Sequence, residues 1–190
     1  MEQEYIQEKT FNKIDFTKNP LTHGEYENCT FLNCDFASSN LTEMKFVECI
    51  FEACDLSMAK LFNVILRDIK FKNCKMLGLH FEYCNKFGLA VSFDKCILDH
   101  SSFYQTKLKK TSFTNSKLCE TDFTECDLTG SIFDNCDLTR ATFVNSLLEK
   151  VDFRTSFNYS IDPELNRIKK AKFSLAGATG LLDKYDIEIN

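Results

Sequence analysis

From Phe93 to Phe153 a large apolar residue recurs at every fifth position, and Phe and Leu alternate without a break: Phe93, Leu98, Phe103, Leu108, Phe113 and onward. This period excludes the usual ways of burying side chains. Five residues of α-helix turn through about 500°, so the large residues would spiral around the helix and form no stripe. Along a straight strand the side-chain period is two, and an odd spacing sends successive large residues to opposite faces. A chain that keeps them all inside turns a corner within every five residues, and so belongs to the repeat architectures.

The same spacing runs from Phe11 to Phe81, and Ile6 fits one step earlier. Together the two runs hold 28 centres with no polar residue among them. With the centre written as i, position i−2 is mostly small, as at Cys29, Cys34, Ala59, Cys74, Thr121 and Ser146. Residues i and i−2 share a side of a short extended segment, so both point inward. The other three residues form the corner and meet water. Strict alternation of Phe and Leu stacks like on like only if a coil has an even number of sides. Two sides enclose no core, so four are expected, with 20 residues per coil. At a strand spacing of about 4.8 Å, seven to eight coils make a rod roughly 35 Å long.

The phase slips once, between Phe81 and Phe93. Those twelve residues are two sides plus two extra residues. Naming the sides a to d from Phe11, side a then carries Phe in all eight coils: Phe11, Phe31, Phe51, Phe71, Phe93, Phe113, Phe133 and Phe153. Residues 84–92 therefore read as a two-residue bulge within one domain, with Phe87 expected to fill the vacant side-d place.

The stretches "CDLTG", "CDLTR", "CDFAS" and "CDLSM" resemble the A-(D/N)-L-x-x motif of the pentapeptide-repeat proteins, with Cys in place of Ala. The resemblance covers about residues 6–157. It implies an all-β fold, a right-handed quadrilateral β-helix, over residues 1–160. Residues 161–190 then form a short C-terminal helical cap and dimerisation segment. The chain is similar to the quinolone-resistance members of the Qnr and MfpA kind. These imply a non-enzymatic DNA mimic that binds DNA gyrase or topoisomerase IV, type II topoisomerases, and relieves quinolone inhibition. The alternative is a structural scaffold or interaction module with another partner, for which Lys107, Lys109 and Lys110 offer a basic patch.

Composition bounds the rest. A net charge of −5 and a pI of about 5.3 argue against direct nucleic-acid binding through bulk positive charge. No run of 18 apolar residues suggests a membrane span. The opening "MEQEYIQEKT" is acidic and polar, unlike a secretory leader, so a cytoplasmic protein is expected. Eight of the ten Cys occupy i−2, where a thiol serves as a small buried hydrophobe. Their five-residue spacing differs from metal-binding pairs. Cys34, Cys54 and Cys74 stack within disulfide reach, although a cytosolic chain keeps them reduced. Cys119, at i+1, is the thiol expected to meet solvent. His23, His80 and His100 fall on scattered corners. No nucleophile elbow, P-loop or dinucleotide fingerprint is present, and "GATG" is too short to cradle phosphate. No metal, cofactor or catalytic activity is implied.

Two surfaces are candidates for partners. After Asp162, a candidate N-cap followed by Pro163, a second capped segment begins at Ser174. Leu175, Ala178, Leu181, Leu182 and Tyr185 follow helical spacing, and Ile187 and Ile189 alternate like a short strand. The resemblance makes this segment a homodimer interface. On the rod itself, sides a, b and d mix Lys or Arg with acid at the exposed i+1 and i+2 positions, whereas side c has neither Lys nor Arg there. Side c presents Glu43, Glu82 and Glu125 with a row of aromatics, Phe62, Tyr83 and Tyr104. Lys60 adds one positive charge at i−1, which Asp122 offsets. Asp122, Asp127 and Asp137 all sit at the Asp/Asn turn position, where the carboxylate serves the corner.

Overall fold

The structure is a computed structural model that describes residues 4–188. Eleven short strands recur along the chain: β1 (Glu4–Gln7), β2 (Thr10–Asn12), β3 (Gly24–Glu27), β4 (Thr30–Leu32), β5 (Lys45–Val47), β6 (Ile50–Glu52), β7 (Ile65–Arg67), β8 (Ile69–Lys72), β9 (Val91–Asp94), β10 (Ser112–Thr114) and β11 (Ile132–Asp134). They form two parallel sheets, β1-β3-β5-β7 and β2-β4-β6-β8-β9-β10-β11. Partners lie one coil apart, Phe11 beside Phe31 and Phe31 beside Phe51. The seven-stranded sheet is side a and the four-stranded sheet is side d. Sides b and c are joined coil to coil by single bridges such as Asp35 with Asp55 and Ser102 with Asp122. The expected all-β solenoid of stacked coils is thus the fold observed.

The side-a Phe ladder is continuous. Ring centroids are 4.9 Å apart for Phe11 and Phe31, 5.4 Å for Phe71 and Phe93 across the slip, and 4.6 Å for Phe113 and Phe133. Phe173 extends the ladder, stacked 5.5 Å from Phe153. Bridges of Arg167 to Leu147 and of Lys172 to Asp152 carry the coil register to residue 172.

Each corner has a common design. The residue at i+2 usually has positive φ, as at Asn33, Glu43, Ala53, Asn73, Lys110 and Glu125. Asn is the residue that tolerates this conformation best after Gly. On sides b and c the corner is closed by a hydrogen bond from the amide of i+3 to the carbonyl of i, as from Ser39 to Phe36 and Met44 to Leu41. The Asp or Asn at i−1 accepts the amide of i+1: Asp35 from Ala37, Asp55 from Ser57 and Asp127 from Thr129.

The small i−2 residues carry a second duty. The buried hydroxyls of Ser131, Ser146 and Ser156 donate to the carbonyls of Leu108, Phe123 and Phe133 in the preceding coil. Cys49 and Cys54 donate in the same way to Tyr26 and Phe31. Cys and Ser are interchangeable here because each is small and brings one donor to a carbonyl. Nine cysteines are buried, and Cys119 is the exception.

The slip differs from expectation in one residue. Phe87 does not fill side d; it is 82% exposed. Leu89 takes that place, packed against the core, and Ala90 N donates to Leu66 O at 2.9 Å. Three residues are added before Leu89 and one is lost after it, which leaves the net two. Asn85 accepts the amide of Phe87, Gly88 has a φ of 78°, and the chain folds back with Phe87 at the tip.

The C-terminal segment also departs from expectation. Asp162 accepts the amide of Glu164, yet Pro163 opens a turn and no α-helix follows. After Ser174 the described residues form two 3-10 helices, Gly177–Leu181 and Asp183–Tyr185. Gly177 and Gly180 explain why. A Cβ on Gly180 would lie 2.2 Å from the Tyr159 carbonyl oxygen, and one on Gly177 would meet the Tyr159 ring. Close docking on Tyr159, with Ile161 N bonded to Gly180 O, overrides a helical spacing that two glycines already weaken. Lys184 bridges Asp162 and Glu164 and fastens the segment to the last coil. Ile187 lies outside any strand, and Ile189 lies outside the described residues.

Candidate protein-interaction surface

Side c brings the expected residues into one band. Glu43 N donates to Phe62 O, Asn63 N to Tyr83 O, Gln105 N to Thr124 O and Glu125 N to Val144 O, which fixes the order of the corners. Phe62 is 62% exposed, Tyr83 57% and Tyr104 37%. Three aromatic side chains therefore project from the same corner in consecutive coils. Exposed aromatics grouped in this way are a feature of interfaces. Glu43 and Glu125 are exposed at i+2. Gln105 ties the row together: its Nε2 donates to the Tyr104 hydroxyl at 3.0 Å and to Glu125 Oε2 at 2.7 Å.

Two of the acids behave differently from the others. Asp122 is half-buried and accepts the Thr124 amide at 2.8 Å. It serves its corner, as the turn position implies. Glu82 is drawn inward, its side chain only 15% exposed, and Oε1 meets His80 Nδ1 at 2.8 Å. The cause is local. Residues Phe81–Tyr83 form a 3-10 turn, in place of the left-handed corner used by neighbouring coils. No five-residue motif signals that change. The His80 ring also stacks on Tyr83 at 5.5 Å.

The C-terminal candidates remain largely uncovered. Leu175 is 93% exposed, Leu182 38%, Tyr185 52% and Ile187 56%. Ala178 is half-buried and Leu181 packs against the core. The apolar residues at this end do not all face one way, since Leu181 is used by the chain itself. The basic candidates Lys107, Lys109 and Lys110 are exposed, and Lys109 is held by Asp127 at 3.1 Å. No helix among the described residues is long and apolar enough to cross a membrane.

Stacked five-residue sides around a Phe and Leu core, with left-handed corners and an Asp or Asn turn at several of them, define a pentapeptide-repeat β-solenoid. Comparison with known families agrees. A model described as pentapeptide repeats matches residues 29–68, and one described as a pentapeptide repeat region matches residues 89–157. The chain belongs to the pentapeptide-repeat proteins. The unmatched stretch between these segments, residues 69–88, contains the first part of the excursion at residues 85–90. Among solved structures, two trypsin-treated variants of QnrB1, a plasmid-mediated fluoroquinolone resistance protein, share the fold end to end. One is 19% identical over 98% of this chain and 100% of the other, with a TM-score of 0.59. The second is 19% identical over 97% and 99%, with a TM-score of 0.60. No curated protein matches the sequence.

Proposed function

We propose that this chain is a non-enzymatic interaction rod that binds a type II topoisomerase, DNA gyrase in the first instance, as a mimic of duplex DNA. In this reading it protects the enzyme from quinolones. The observation that carries the reading is side c: an exposed band along the rod with Glu43 and Glu125 and without Lys or Arg at i+1 or i+2. Its acids suit a basic DNA-binding saddle. The end-to-end likeness of fold to a fluoroquinolone resistance protein supports the choice of target. Two rods joined at their C-terminal ends would reach about 70 Å at the coil spacing. That equals roughly 20 base pairs at 3.4 Å each.

A gyrase supercoiling assay with the purified protein, with and without a quinolone, tests the reading. Micromolar protein is expected to alter supercoiling or to restore it in the presence of drug. Reversing charge at Glu43, Glu82 and Glu125 is expected to abolish the effect, and reversing Glu52, Asp94 and Asp134 on side a to leave most of it. Absence of any effect sinks the topoisomerase reading and favours a scaffold with another partner. Equal loss from both sets of reversals means that net charge, and not side c, is what matters.

A further inference from the structure

The excursion at residues 85–90 interrupts one side of the rod and leaves the others joined. Sides b and c keep their bridges across it, Lys75 with Ile97 and His80 with Ser102, whereas on side d the bridges resume only at Lys107 with Asp127. From there on, side d is laced from coil to coil by Asp127 N to Thr106 O, Leu108 N to Asp127 O and Lys110 N to Thr129 O. The groups that would make the same bonds back to the coil of Leu89 are the amide of Lys107 and the carbonyls of Lys107 and Lys109. None of the three has a hydrogen-bond partner among the described residues. The opening runs into side a, where β9 pairs with β8 from Val91 to Asp94 but with β10 only at Phe93 and Asp94. A cleft of about 280 Å³ lies here. Ile69, Leu89 and Val91 give it an apolar wall, and Lys70, Lys109 and Lys110 line it with Asp68 as the one carboxylate. Asp127 holds Lys109. Lys70, Lys107 and Lys110 are exposed and have no ion pair among the described residues.

We propose that this cleft docks an extended acidic segment of a partner protein, with its carboxylates on Lys70, Lys107 and Lys110 and an apolar side chain against Ile69, Leu89 and Val91. The inference does not rest on side c, and it gives the rod a second contact face. The unpaired backbone groups decide which polyanion fits. The carbonyls of Lys107 and Lys109 call for N–H donors. A peptide backbone supplies such donors and a phosphodiester backbone does not. An extended chain that completes an interrupted ladder draws affinity from its main chain and specificity from alternate side chains. The apolar wall gives one of those side chains a place, and the lysines select acid for its neighbours. The whole chain carries a net charge of −5, so this attraction is local, acting within a screening length of about 8 Å at physiological salt.

The test uses a probe that contains no topoisomerase. The blocked peptide acetyl-Asp-Glu-Leu-Glu-Asp-amide is titrated into the full-length, nitrogen-15-labelled protein, and amide shifts are followed by NMR. Saturable shifts are expected at Lys70, Ala90, Lys107 and Lys110. The analogue with Asn and Gln in place of the acids is expected to give none, and Gly in place of the peptide's Leu to weaken binding severalfold. Lys107→Gln combined with Lys110→Gln is expected to weaken the peptide at least tenfold. Lys13→Gln combined with Lys117→Gln makes the same change of charge away from the cleft and is expected to weaken it less than twofold. All four lysines are exposed, so both variants are expected to melt with the parent. Equal loss from the two variants, equal binding of the uncharged analogue, or no shift at tens of millimolar peptide overturns the proposal. A short DNA duplex that shifts the same amides at lower concentration than the peptide also overturns it, by making the cleft a site for a phosphate backbone.

Discussion

Phe113 and Phe62 are the same residue type in the same repeat, and their positions within the repeat separate them. Phe113 is fully buried, stacked 5.0 Å from Phe93 and 4.6 Å from Phe133, with edge contacts to Phe103 and Phe123. Phe113→Ala removes a ring from the middle of that ladder, where neither neighbouring coil can collapse into the gap. The expected cost is about 3–5 kcal/mol. Phe62→Ala at i+1 is expected to cost less than about 0.5 kcal/mol. Urea unfolding of both variants distinguishes them, and a loss below about 1 kcal/mol at Phe113 would contradict the packing described. Position also decides thiol reactivity. Burial pushes Cys49, Cys84, Cys126 and Cys136 up to about 12. Cys119 is pushed up to about 11, by partial burial first and then by the carboxylates of Asp99 and Asp137. The thiolate is the reactive form. In native protein Cys119 is therefore expected to react first, with a rate rising about tenfold per pH unit between pH 8 and 10. The remaining cysteines are expected to react on unfolding. Fast reaction of most cysteines at pH 8 would refute this.

At the scale of elements, the coil was legible because every side repeats one rule. A large residue at i and, on most sides, a small one at i−2 can be read from five residues at a time, with a turn-forming Asp or Asn at i−1 on some of them. The excursion at residues 85–90 was legible in its length and not in its path. Phe87 and Leu89 are both apolar and lie two residues apart, and the period alone does not choose between them. What chose Leu89 was the Asx turn from Asn85 and the positive φ of Gly88, which turn Phe87 outward. The C-terminal spacing of Leu175, Ala178 and Leu181 misled for a related reason. The glycines that look like helix breakers are docking points for Tyr159, a tertiary contact that the spacing does not encode. The Glu82 corner was invisible, because its inward turn depends on a 3-10 geometry and on His80. If Leu89 is the side-d centre, replacing residues 86–90 by Leu-Ala-Asn restores a regular coil. That variant is expected to keep the β-solenoid circular dichroism spectrum and to melt no lower than the parent. A loss of folding would show that the excursion holds the two halves in register in some other way.

For the whole molecule, the two ends of the rod are unlike. At the N-terminal end, strands β1 and β2 begin the two sheets and leave their outer edges without a strand partner among the described residues. Glu4, the one charged residue of β1, discourages pairing with another chain there. At the C-terminal end the last coil is covered by two 3-10 turns, whose outer side chains include Leu175, Leu182, Tyr185 and Ile187. A solenoid cap that ended the rod against water would carry a polar outer face. This one exposes Leu175, Leu182, Tyr185 and Ile187 among Asp183, Lys184 and Asp186, and the apolar part suits a closed two-fold contact between identical ends. Leu181 is a poor residue with which to test that contact, because it packs on the core and an acid there would loosen the cap itself. Leu182→Asp combined with Ile187→Asp changes only exposed side chains and adds four negative charges across a symmetric interface. The wild-type protein is expected to sediment as a dimer, and the double variant as a monomer with an unchanged melting profile for the coils. A wild type that sediments as a monomer at hundreds of micromolar would remove the dimer. So would a double variant that remains dimeric, by placing the contact elsewhere on the rod.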